Sequence, residues 1–126
     1  MIINNGSDEK NLIADKSYAF AVKIVKLYQF LAFEKKEFLL SKQLLRSGTS
    51  IGANVEEAIG GQSPRDFISK LSISYKEARE SHYWIRLMYD TGYLNIKQKE
   101  ELLDDVDEIL RIIGSIKKTI NQKSKL

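Results

Sequence analysis

The chain contains no cysteine. That excludes disulfides, thiolate catalysis, iron–sulfur clusters and cysteine-ligated zinc together. Histidine and proline each occur once, as His82 and Pro64. One histidine cannot supply the two Glu-x-x-His motifs of a di-iron helical bundle, and Arg79, not a glutamate, stands three residues before it. No glycine-rich dinucleotide or Walker-type loop occurs. No apolar–polar alternation is long enough for a useful strand. The N-terminus lacks the basic start and apolar core of a secretory signal. The most apolar stretch, 18–33, is broken by Lys23 and Lys26 and is too short for a bilayer core of about 30 Å. These absences predict a soluble, cytoplasmic, non-membrane protein with no catalytic residues, metal or cofactor.

What is present is helix-forming. The 126 residues are 43% hydrophobic and 29% charged, enough for one domain, 1–126, with a core that needs no staples. Twenty basic residues against seventeen acidic ones give +3, a mild bias towards anionic partners. Punctuation and period predict four helices, at about 8–33, 37–59, 64–91 and 96–121, with a frayed tail at 122–126. Ser7 reads as the first N-cap. Ser63-Pro64-Arg65-Asp66 combines an N-cap, a proline at the first helical position and an acid in the first turn. Gly92 reads as a C-terminal glycine, and Asn95 with Gln98 as a capping box. Short loops between long helices predict an all-α, antiparallel up-down-up-down four-helix bundle.

The apolar surface exceeds what one such bundle needs. On the first helix, apolar residues cover about half the circumference, against the arc of about 100° typical of a surface helix. On the third, Phe67, Ile68, Leu71, Ala78, Ile85 and Tyr89 form the core stripe, while Trp84, Leu87 and Met88 point elsewhere. With Tyr28 of the first helix, these three predict a homo-oligomer interface. Gly48 and Gly52, in the second helix, predict close approach of a neighbouring helix.

Chemistry-bearing clusters are few. His82 is read as a structural residue on the core-facing side of its helix. Glu77 and Glu80 read as solvated charges, and the acids from Glu100 to Glu108 as dipole compensation at a helix start. Two patterns stand out. Gln43, Arg46, Ser50, Asn54 and Glu57 follow one another at spacings of 3, 4, 4 and 3, a polar row suited to a hydrogen-bonded network at a helix or subunit junction. From Ile109 onward there are five basic residues and no acid. Lys16 and Lys23 share a strip of the first helix with Lys26 close by, and an up-down bundle puts the turn with Arg65 beside the end of the fourth helix. Lys16, Lys23, Lys26, Arg65, Lys117 and Lys118 are therefore the candidate phosphate contacts.

The polar row also carries a family resemblance. Gln43, Arg46, Ser50, Ile51, Asn54 and Glu57 match in register the central motif of the four helix bundle protein family, encoded within intervening sequences of bacterial 23S rRNA genes, some members of which are labelled ribosomal proteins. Ala58 replaces the family's usual glycine, and Gly52 stands where proline is common. The likeness runs from about Tyr18 through the start of the third helix to Tyr93-Leu94. It implies an all-α bundle assembled as a five-fold ring, and a nucleic-acid association. The chain is also similar to the accessory protein of diversity-generating retroelements, which implies a reverse transcriptase as a further partner. The reading is thus a ring-like homo-oligomer, a pentamer, binding rRNA or other nucleic acid through its phosphates. The alternative is a protein-interaction scaffold.

Overall fold

A computed structural model describes residues 5–124, with side chains over 8–123. These residues form four helices and, among them, no strand: α1 (Asn5–Phe33), α2 (Leu39–Ile59), α3 (Pro64–Asp90) and α4 (Ile96–Ser124). Helix α1 begins before Ser7, so that residue lies inside the helix and is not its cap. Helix α4 runs to Ser124, so residues 122–124 continue the helix instead of fraying; residues 125 and 126 lie outside the described part.

Each helix end has a local cause. Ser63 Oγ accepts from the Asp66 N–H at 3.1 Å, with Pro64 in the first turn of α3. Asn95 and Gln98 bond reciprocally at 2.9 and 2.8 Å, closing a capping box at the start of α4. Helix α3 stops in a Schellman turn: Tyr93 N–H donates to the Met88 carbonyl and Gly92 N–H to that of Tyr89, with Gly92 at φ +89°. The start of α2 is different. Phe38 makes no side-chain cap; the buried Glu37 carboxylate accepts from the N–H groups of Leu40 and Ser41, while Ser41 Oγ donates back to the Glu37 carbonyl at 2.7 Å. The turn that delivers Glu37 places Lys36 at φ 56°, a left-handed conformation that costs an L-residue about 1–2 kcal/mol.

Helix α1 packs against α2 and α4, and α3 packs against α2 and α4. One core lies between them, built from residues such as Phe20, Ile24, Ile51, Val55, Leu71, Ile85, Ile109 and Ile113, all 1% exposed or less. Two seams show why small residues stand where they do. A Cβ on Gly48 would come within 3.0 Å of Ile24, so α1 and α2 meet there without room for a methyl group, and Gly52 lies against the Ser17 backbone. Between α2 and α3 the seam is hydroxyl-lined. Ser81 Oγ lies 2.9 Å from Ser47 Oγ, and Ser74 Oγ donates to the Ile51 carbonyl at 2.8 Å. Every buried side-chain nitrogen or oxygen among the described residues has a partner.

Candidate nucleic-acid interface

The six candidate cations do not form one patch. Lys16 lies 3.2 Å from Glu108, and Lys23 lies 2.9 Å from Glu101 and 2.8 Å from Asp105. The acidic run of α4 therefore does more than compensate a helix dipole; three of its members face α1 and neutralise its lysines. The Lys23 ammonium, donating to Asp105 and to Glu101, is held above the usual lysine value despite some desolvation. The same ammonium holds the Glu101 carboxyl below the usual carboxylate value. A phosphate approaching Lys16 or Lys23 would have to displace carboxylates already in place.

The other four differ. Lys26 is exposed on α1 and Arg65 is exposed in the first turn of α3. Neither has an acidic side chain within ion-pair distance among the described residues, and the same holds for Lys117 and Lys118. The Lys117 ammonium lies 5.5 Å from the centre of the Tyr75 ring. Lys117 and Lys118 line an open groove of about 630 Å³ between α3 and α4, together with Tyr75 and Gly114. The structure thus brings Lys117 and Lys118 together and leaves Lys26 and Arg65 outside that groove.

A second recess, of about 580 Å³, opens where the start of α1, the α2–α3 turn and the end of α4 meet. Its cations are Lys10 and Lys123, neither of which stood among the candidates; the Lys10 ammonium lies 4.8 Å from the Phe67 ring centre. The sequence places basic residues near this end without showing which of them turn towards it.

The polar row of α2 faces α3. Arg46 binds both Glu77, at 3.4 Å, and Glu80, and reaches Gln43 on its own helix. Glu57 pairs with Lys70 at 3.2 Å, and Asn54 donates to the Ser50 carbonyl at 2.9 Å. Glu77 and Glu80 are thus counter-ions of Arg46, not freely solvated, and Glu80 also accepts from the Trp84 indole at 2.9 Å. The row stitches two helices of one chain. His82 is half-buried at the surface, not core-facing, and its Nε2 lies 3.5 Å from Asp107 of α4.

The expected interface residues also divide. Met88 is fully buried and belongs to the core of its own chain, so it offers no surface for a second copy. Tyr28, Trp84 and Leu87 are half-buried. Exposed apolar side chains lie on α1 (Tyr18, Val22, Val25), on α3 (Tyr83), at the start of α4 (Ile96) and around the α1–α2 turn, where Phe33 and Leu39 are 70% and 82% exposed. Among the described residues no group of three or more histidines or carboxylates is placed to hold a metal ion, and no helix is long and apolar enough to cross a membrane.

The profile of one family, the 23S rRNA-intervening sequence protein, matches residues 9–115. The chain belongs to that family. Solved structures resemble this chain as well. One of them is a protein of unknown function from the S23 ribosomal protein family of Bacteroides thetaiotaomicron, solved at 1.70 Å. It is 52% identical, with a TM-score of 0.84, and the match covers 86% of this chain and 96% of that one. No curated protein matches this chain. The profile extends past Leu94 and takes in most of α4, including the acids that meet Lys16 and Lys23.

Proposed function

We propose that this 23S rRNA-intervening sequence protein is a non-enzymatic, cytoplasmic RNA-binding protein that contacts backbone phosphates. The observation that carries the reading is the acid-free end of α4, where Lys117 and Lys118 line an open groove with no carboxylate partner among the described residues. Phosphate contacts need cations whose charge is not already met, because affinity comes from releasing the counter-ions of the nucleic acid. Lys26 and Arg65 meet that condition; Lys16 and Lys23 do not. The family's association with 23S rRNA genes makes structured rRNA the first ligand to test.

The reading includes an antiparallel up-down-up-down bundle. Its support is the order of the pairs: Glu9 with Ser115, Lys16 with Glu108 and Lys23 with Glu101 between α1 and α4, and Arg46 with Glu80, Ile51 with Ser74 and Glu57 with Lys70 between α2 and α3. It also includes self-association, as the pentameric ring that the family resemblance implies. The exposed Tyr18, Val22 and Val25 support α1 as the contact face. Repetition around a ring would multiply each chain's weak phosphate contacts.

The test is binding of purified protein to labelled fragments of bacterial rRNA over a salt series. Micromolar or tighter binding that weakens steeply with salt is the expected result. No binding at about 50 mM salt would overturn the reading and leave the protein-interaction scaffold in its place. Sedimentation of the same sample should give a species larger than one chain.

A further inference from the structure

We infer that the phosphate backbone of the RNA runs along the groove between α3 and α4, over basic residues exposed on both helices. This deepens the reading above and rests on it. The rungs that join α3 to α4 fix the place. His82 meets Asp107 at 3.5 Å, and Lys117 lies over Tyr75 at 5.5 Å. Between these rungs Arg79 stands on α3 and Arg111 on α4, both exposed. Tyr75, Arg79 and His82 follow one another at spacings of 4 and 3, and so do Asp107, Arg111 and Gly114, so each set shares one helix face. Lys118, also exposed, lies past the Tyr75 rung on α4, and the exposed Lys76 follows Tyr75 on α3.

Charge separates this groove from the rest of the surface. Residues 67–76 of α3 and all residues from 109 onward contain no acid. Of the carboxylates that border the region, Glu108 pairs with Lys16 and Glu77 with Arg46, while Asp107, 3.5 Å from His82, marks the acidic end of the groove. Among the described residues Arg79, Arg111, Lys76 and Lys118 have no carboxylate within ion-pair distance, so their charge is open to a phosphate. On the α1–α4 side, the same helix α4 spends its acids on Lys16 and Lys23.

Shape supplies the second argument. Gly114 sits in the middle of α4, where glycine costs about 1 kcal/mol relative to alanine. Unlike Gly48, it is not required by packing, since a Cβ built there meets nothing within 4 Å. Its lack of a side chain opens the groove of about 630 Å³ beside Tyr75. The recess is lined by Tyr75 from α3 and by Gly114, Lys117 and Lys118 from α4, with Arg79 and Arg111 exposed on the same two helices. Cations beside an aromatic ring suit a strand that carries regularly spaced phosphates and stackable bases. A flat anionic bilayer would reach only the rims.

The experiment compares salt slopes for a labelled rRNA fragment. Each lost phosphate contact removes about 0.7–0.9 from the slope of log affinity against log salt. The variant Arg79→Gln/Arg111→Gln/Lys118→Gln should flatten the slope by about 2. The paired variant Lys16→Gln/Lys23→Gln should leave it unchanged. Gly114→Gln gives an independent readout: it should raise the melting temperature and weaken RNA binding at once, a combination that misfolding cannot produce. If wild type binds and the triple variant keeps its slope, the placement is wrong while the RNA reading stands. If wild type fails to bind RNA at about 50 mM salt, both fall together. Tighter binding to phosphatidylserine vesicles than to RNA also overturns the placement.

Discussion

Lys23 on α1 lies 2.8 Å from Asp105 on α4, and 2.9 Å from Glu101 one turn earlier on the same helix. A cation that reads as a phosphate ligand in the sequence is, in the fold, a clamp between the first and last helices. Its pH dependence follows. The Glu101 carboxyl is lowered by Lys23, so its contribution is present above the usual carboxylate value and is lost as pH falls through the lowered one. Lys23 is raised, chiefly by Asp105, so its contribution is present below the usual lysine value and is lost as pH rises through the raised one. Lys23→Gln should lower the melting temperature across about pH 5 to 9. The gap from wild type should close towards about pH 3 and shrink at high salt. A gap that does not change with pH would show that the clamp is not electrostatic.

Arg46 offers a contrast, since its two carboxylate partners sit on one neighbouring helix. Arg46→Ala leaves Glu77 and Glu80 facing each other unneutralised and should cost about 1–2 kcal/mol in denaturant unfolding. Arg46→Lys should recover only part of that, because the compact ammonium lacks the fixed fork of donors that the guanidinium presents. Neither variant should alter the salt slope of RNA binding. A change in that slope with stability intact would mean that the polar row touches the ligand after all.

Two glycines in helix interiors should respond in opposite senses to the same substitution. Gly48→Ala brings a methyl group to within 3.0 Å of Ile24, a stiff branched side chain in the core. The overpacking, about 1–3 kcal/mol, should exceed the gain in helix propensity and destabilise the protein. Gly114→Ala meets no neighbour and should stabilise by up to about 1 kcal/mol. Chemical denaturation of both proteins checks the pair.

Lys36 holds a left-handed conformation between α1 and α2. Lys36→Gly should relieve that strain and raise stability by about 0.5–1 kcal/mol, the greater freedom of glycine in the unfolded chain offsetting part of the gain. Loss of stability on this substitution would show that the lysine side chain makes a contact worth more than the strain.

The helix ends were legible wherever a side chain caps its own backbone, as at Ser63, Gly92, Asn95 and Gln98, because those bonds span three to five residues. Glu37 was not, since a glutamate before an apolar pair reads as the first turn of a helix and not as its cap. Met88 shows a second limit. Its position on a helical wheel lies at the edge of the core stripe, yet it is fully buried in the core. Lys16 and Lys23 show a third. Their counter-ions lie on α4, at the far end of the chain, and spacing along one helix carries no trace of them. The basic end of α4 was visible as a run without acids, but Arg79 joins it only through the rungs between α3 and α4.

The most direct measurement is ultraviolet cross-linking of the protein to an rRNA fragment at low salt, with the cross-linked peptides mapped by mass spectrometry. Adducts at Tyr75 and on peptides around Arg79 and Arg111 are the predicted result. Adducts confined to α1, at Tyr18 or Tyr28, would contradict it, because they would place RNA away from the groove between α3 and α4.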